Sequence, residues 1–234
     1  MEHQILQPTH NYKEYANSKL QWLPSDTEEL FIKNKKERLQ ELKSNSWLNT
    51  KIEYSFNSYG FRSEEFSTSP SILYLGCSFT VGIGLRVEHS WPYLVSTAMN
   101  LKCFNLGLGA SSNDTAFRMA EYWIKQLKPK IVLLLSPFFL RYETLQQQKD
   151  GTLLSVDHSI NDKIVKNQMI CEENNRLNKI KNKLAIKTIA ENNYAKFFSY
   201  DTETFPMIDR ARDLQHPGIQ SNKSFANIVL NQLQ

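Results

Sequence analysis

Cysteine is scarce in this chain of 234 residues: Cys77, Cys103 and Cys171 are three in number and stand far apart. An odd, scattered set excludes a disulfide framework and points to a reducing compartment. CxxC, HExxH and clustered His/Asp patterns are missing, so neither a metal nor another cofactor is expected. Long apolar runs are missing too. A membrane helix needs about 18 apolar residues in a row, and the longest run, residues 131–135, reads as a strand. The opening MEHQILQPTH lacks the basic patch and apolar core of a secretory leader, which makes a cytoplasmic location the expectation. Excess charge is small: 28 Lys and Arg against 24 Asp and Glu leave +4, too little to argue for nucleic-acid binding. No internal repeat is apparent. What remains is an ordinary globular composition, 41% hydrophobic and 22% charged, long enough for one domain with an accessory segment.

The chain is organised around residues 71–84, SILYLGCSFTVGIG. Ile72, Leu73, Tyr74 and Leu75 form a short apolar run of the kind found in strands covered on both faces. Gly76 permits a tight turn, and Ser78 then stands just beyond the carboxyl end of the strand, where open parallel sheets bind ligands. By itself such a serine reads as a helix cap. Near the other end, Asp213 precedes His216 by one helical turn, close enough to accept a hydrogen bond from the imidazole and fix its tautomer. The other ring nitrogen is then available to Ser78.

Further elements follow from periodicity and capping. Thr27 caps a helix running to about residue 43, with a basic outer face. Residues 51–56 read as a strand, and 57–62 as a turn that needs Gly60. Ser90 caps a helix over 91–99 that carries Pro92 in its first turn. Strands follow at 103–106, 130–136 and 195–200, and helices at 115–127 and 222–233. Residues 146–157 are polar and read as a loop. Apolar residues at helical spacing, Leu177, Ile180 and Leu184 among them, extend a helical reading over 159–192, with breaks near 171–175. Alternation of strand, loop and helix predicts right-handed parallel crossovers.

Gly76-Cys77-Ser78-Phe79-Thr80 resembles the first block of the SGNH hydrolases, or GDSL esterases, and Asp213 to His216 resembles their last. Ser90-Trp91-Pro92 is similar to the pair opening that family's first helix. The resemblance covers roughly residues 54–234. It implies a three-layer α/β/α sandwich with a mainly parallel, flavodoxin-like sheet. It divides the chain into residues 1–66, an accessory segment of helix, strand and turn packing on the core, and residues 67–234, a hydrolase-like domain. It also implies serine esterase chemistry with Ser78 as nucleophile, His216 as base and Asp213 as its orienter.

In the family, oxyanion donors are the nucleophile's own N–H, a backbone N–H after the second strand, and an asparagine amide after the third. The first is Ser78. Aligning Asn105-Leu106-Gly107 sets the second at Ala110, with Gly109 as neighbour, provided Ala110 has negative φ. The third is missing after residue 136, leaving Asn113, Ser136 or Arg141 as substitutes. Cys77 replaces the aspartate of GDS, and its reading is a buried thiol. The N-x-x-G-F-R stretch at 57–62 is also found in the family near the site; Arg62 is either a contact for an anionic substrate or part of a plain hairpin turn. Phe138, with Phe139 and Tyr142, forms either one wall of an acyl or sugar pocket or packing beneath a loop.

The function expected is cleavage of a short acyl ester, acetyl above all, on a small molecule or glycan, with neither nucleic acid nor a membrane span involved. Two alternatives stay open. One is a lipase or thioesterase for longer chains, and the other is a binding protein that keeps the scaffold without useful turnover.

Overall fold

Residues 71–76 and 131–136 are buried at every position, as strands sandwiched between two helical layers must be. The computed structural model describes residues 10–147, 153–159 and 172–233. In chain order its elements are β1 (Lys19–Leu20), α1 (Glu28–Glu37), α2 (Leu39–Ser44), β2 (Tyr54–Ser55), β3 (Ser71–Gly76), α3 (Ser78–Val81), α4 (Trp91–Met99) and β4 (Lys102–Asn105). There follow α5 (Asn113–Leu127), β5 (Ile131–Ser136), β6 (Arg141–Gln147), β7 (Leu153–Ser159), α6 (Glu172–Asn192), β8 (Lys196–Asp201) and α7 (Ile219–Leu233).

The central sheet has four parallel strands in the order β4-β3-β5-β8. Successive side chains on a strand face opposite ways, so each strand feeds two cores. Leu73, Leu75, Val132 and Leu134 meet Met119, Ala120 and Trp123 of α5 and Ile186 and Ala190 of α6. Ile72, Tyr74, Ile131, Leu133 and Leu135 meet Trp91 and Val95 of α4 and Phe225 and Val229 of α7. The result is the expected α/β/α sandwich, with the flavodoxin-like order of strands. In that order the chain turns back between β3 and β5, and the crevice for ligands opens at their carboxyl ends.

The free edge of β4 is closed by side chains. Ser63 Oγ donates to Cys103 O at 3.1 Å and accepts from Asn105 N at 3.0 Å, and Cys103 N donates to Glu64 at 3.3 Å. Residues before β3 share the larger core: Tyr12, Leu23, Leu42, Trp47, Tyr54 and Phe61 belong to the same cluster as Leu73 and Trp123. Gly60 makes the expected turn at φ +83°, where a Cβ would lie 2.5 Å from Tyr12 O.

Several elements depart from expectation. The helix predicted to run to residue 43 breaks at Arg38 (φ −133°), which turns α2 so that Leu42 enters the core. A two-residue strand, β1, pairs antiparallel with β2, a partner that residues 19–20 do not announce by any pattern. Ser90 does not cap α4 through its side chain; Asn222 Oδ1 from α7 accepts from Trp91 N at 3.0 Å. α5 begins earlier than expected, because Ser112 and Thr115 form a reciprocal capping box.

In the predicted polar loop, residues 146–147 and 153–157 are strand instead, and residues 148–152 lie outside the described residues. β6 and β7 pair antiparallel from Arg141↔Ser159 to Gln147↔Leu153, satisfying each other's backbone without an apolar stripe. The part of the helical reading over 160–171 lies outside the described residues. Within α6 the apolar stripe faces outward, with Leu177, Ile180 and Leu184 more than half exposed, while Asn182, Ile186 and Ala190 are buried. The cause is Asp114 at the start of α5, whose Oδ1 accepts from Asn178 and Asn182 amides, both at 2.8 Å. No helix among the described residues is long and apolar enough to cross a membrane.

Candidate active site

Gly76 ends β3 at φ +154°, and a Cβ there would lie 2.7 Å from Leu135 O on the neighbouring strand. Only glycine lets the chain turn so close to β5. Cys77 is extended and wholly buried, with its thiol 4.0 Å from Thr202 Oγ1 on the far side of the turn. Ser78 then opens the single turn of α3 and is 5% exposed. Its N–H is one of the first-turn donors that have no intrahelical acceptor.

Asp213 and His216 lie in the loop before α7. Leu214 takes left-handed φ (+57°), which curls the loop tightly. Asp213 Oδ1 accepts from Gln215 N and His216 N, each at 3.0 Å, and Oδ2 is bonded to His216 Nδ1. A carboxylate accepts only, so Nδ1 carries a proton, and in the neutral imidazole Nε2 is then the acceptor. Asp213 is buried, whereas the imidazole is 12% exposed. Phe79, the neighbour of Ser78, sets its ring edge against the His216 ring at a centroid distance of 5.8 Å. The same ring meets Phe205 at 5.4 Å and Phe138 at 6.2 Å. Asp209, the other nearby carboxylate, caps α7 through Gln220 N, Ser221 N and Ser221 Oγ.

The loop after β4 lies alongside the nucleophile turn. Leu108 N and Ser111 Oγ donate to Gly76 O at 3.0 and 3.1 Å. Asn105 Nδ2 donates to Thr80 O at 2.7 Å. Ala110 is exposed with φ +60°, outside the condition set for it. A Cβ at Gly109 would lie 2.2 Å from the Tyr12 hydroxyl, whose pKa burial drives upward. Asn113 is buried; its amide donates to Pro137 O at 3.0 Å, and its carbonyl accepts from Ser136 Oγ at 2.6 Å.

The Arg62 guanidinium is turned inward, onto backbone carbonyls of the loop after Ser78. Nη1 donates to Val81 O (3.2 Å) and Gly82 O (2.6 Å), Nη2 donates to Leu85 O (2.7 Å), and the guanidinium lies 4.4 Å over the Tyr54 ring. It is buried, and burial lowers its pKa. Its work is to hold the loop after Ser78. Phe138 is half-buried beside Phe79, and the Arg141 guanidinium lies 5.3 Å over it, with Nη1 buried and without a hydrogen-bond partner among the described residues. Among the described residues no group of three or more His, Cys, Asp or Glu could hold a metal.

Residues that sequence reasoning missed come from the N-terminal segment, which touches three loops of the site. Asn11 Nδ2 donates to Gly109 O at 3.3 Å, Tyr54 Oη accepts from Gly84 N at 2.8 Å, and Asn34 Nδ2 donates to Asp213 O at 3.2 Å. Trp47 Nε1 donates to Arg210 O at 2.8 Å. Asp26 pairs with Arg212 across 186 positions of sequence, a separation at which no local spacing could signal contact.

No protein-family model and no curated protein sequence matches this chain. Among solved structures it is similar to a protein of the G-D-S-L lipolytic family from Desulfitobacterium hafniense, at TM-score 0.45 and 14% identity over 69% of this chain and 98% of that one. It is also similar to a psychrotrophic esterase from Pseudoalteromonas sp., at TM-score 0.34 and 16% identity over 69% and 73%. A third is an acetyl xylan esterase from Butyrivibrio proteoclasticus, at TM-score 0.39 and 12% identity over 73% and 64%. These likenesses are loose, and the architecture rests on the sheet order and the two packed faces rather than on them.

Proposed function

We propose that this chain is a serine esterase of the SGNH type, acting on a short acyl ester, with acetyl on a carbohydrate as the first candidate. The observation that carries the reading is the Asp213–His216 bond beside Phe79: a buried carboxylate fixes one ring nitrogen as donor and turns the other into a base next to the nucleophile turn.

On this reading His216 Nε2 takes the proton of Ser78 Oγ as the oxygen attacks the acyl carbon. The Ser78 N–H faces the developing oxyanion, where a well-placed donor contributes roughly 3 kcal/mol. His216 then protonates the departing alcohol, leaving an acyl-serine, and water activated by the same nitrogen releases the acid. Phe79 and Phe138 provide an apolar wall for the acyl group, and Arg141 is the cation beside it that can meet a polar acceptor.

One observation favours the binding-protein reading instead. Asn113 is bonded to Ser136 and Pro137, and Ala110 lies at φ +60°, outside the condition set for it, so the further donors expected beside Ser78 are not in the expected form. Fluorophosphonate labelling separates the two. The esterase takes up the probe at Ser78, and Ser78→Ala loses it; folded wild-type protein that stays unlabelled leaves the binding role. A panel of acetylated sugars and longer acyl esters then sets the substrate, and a preference for long chains identifies a lipase or thioesterase.

A further inference from the structure

We propose that Asp26, in the N-terminal segment, is a positioning residue for the reaction: one buried carboxylate that locks the loop following Ser78 to the loop bearing Asp213 and His216. The proposal rests on the serine-hydrolase reading for its consequence, but its geometry stands apart from it.

Asp26 is 1% exposed. Its carboxylate accepts the Tyr54 hydroxyl, and it accepts Arg212 Nη2 at 2.6 Å and Nε at 3.1 and 3.2 Å. Tyr54 Oη in turn accepts from Gly84 N at 2.8 Å, and Arg212 N donates to Gly84 O at 3.1 Å. The four residues form a closed circuit, Asp26 to Tyr54 to Gly84 to Arg212 and back. Gly84 lies in the turn that follows Ser78, and Arg212 is bonded directly to Asp213 in sequence. Trp22 supports the guanidinium at 3.9 Å, and Gln21 O accepts from Nη2 at 2.8 Å.

Stability alone does not account for such a group. Taking two charges out of water offsets most of their attraction, and apolar residues of similar size generally serve a fold as well or better. What apolar residues lack is direction. A forked guanidinium against a carboxylate permits one relative placement of the loops it joins. Proton transfer from Ser78 to His216 depends on that placement to a fraction of an ångström.

The test replaces both charges together, Asp26→Leu with Arg212→Met, so that neither is left buried and unpaired. Three readouts are compared with wild type: thermal unfolding, turnover of p-nitrophenyl acetate, and the downfield proton resonance of the His216 Nδ1–H bond to Asp213. The expected result is a folded protein whose kcat falls about 10- to 100-fold with KM within about three-fold, and whose downfield proton is lost to exchange. A folded double variant that keeps kcat and the proton signal overturns the proposal. If the double variant does not fold, Tyr54→Phe, which opens the circuit by one hydroxyl, is read in the same way: a kcat loss with unchanged KM supports the lock, and unchanged kcat refutes it. Wild-type protein that neither cleaves the ester nor takes up a fluorophosphonate removes the hydrolase reading only. The lock is then judged by the proton signal, standing if the variant loses it and falling if the variant keeps it.

Discussion

Ser136 donates its hydroxyl proton to the side-chain carbonyl of Asn113 at 2.6 Å, joining the end of β5 to the first turn of α5. Both residues are buried, so the bond is shielded from water and its loss strands polar groups. Asn113→Ala is expected to cost about 1–3 kcal/mol in urea unfolding. Ser136→Ala should cost less once Asn113 is gone, and strictly additive losses would show that the bond contributes nothing.

Replacing Ser78 by alanine, or His216 by alanine, is expected to lower kcat on a short acyl ester by about 10⁴–10⁶-fold without altering the thermal midpoint greatly. Asp213→Asn should cost about 10⁴-fold, because an amide cannot fix the same imidazole tautomer. Steady-state kinetics on purified, folded variants decide this, and a Ser78→Ala protein with wild-type kcat would refute the nucleophile assignment.

Arg62 separates structural from substrate-binding roles cleanly. Arg62→Met removes the donors to Val81, Gly82 and Leu85 carbonyls and should destabilise the protein by on the order of 3 kcal/mol. If Arg62 gripped substrate, the variant would instead unfold normally and show a raised KM.

Gly76→Ala forces a Cβ toward Leu135 O, 2.7 Å away, at a φ that disfavours any side chain. The expected loss is about 1–3 kcal/mol, with α3 displaced and labelling at Ser78 slowed. Comparing unfolding midpoints and fluorophosphonate labelling rates measures both effects.

His10 sets an acid limit on stability. Its ring stacks on Phe61 at 4.2 Å, Nδ1 accepts from Tyr12 N at 3.2 Å, and Nε2 donates to Tyr59 O at 3.0 Å. Burial lowers its pKa from 6.5 to about 4. The unfolded chain therefore binds a proton that the folded one refuses between those values. Stability from this group is complete above about pH 6.5 and declines by up to roughly 3 kcal/mol as pH falls toward 4. Urea midpoints measured across this range should fall in wild type and flatten in His10→Gln.

Local pattern made much of this protein legible. Unbroken apolar runs marked β3 and β5, because a strand covered on both faces has no polar side to show. Pro92 punctuates the chain in the first turn of α4 through backbone chemistry that acts within a few residues. The DxxH spacing anticipated the Asp213–His216 bond, since a separation of three residues keeps those side chains within reach of each other.

Other features depend on partners distant in sequence. The outward stripe of α6 follows from Asp114 bonding Asn178 and Asn182, and the capping of Trp91 N follows from Asn222 on α7. The part of Arg62 was decided by carbonyls some twenty residues away. The chain therefore settles its central strands, the Gly60 turn and the spacing of the Asp–His pair from within, because those signals are local. Folding alone settles which polar groups remain free around Ser78, because that depends on the distant donors and acceptors that packing delivers to the same place.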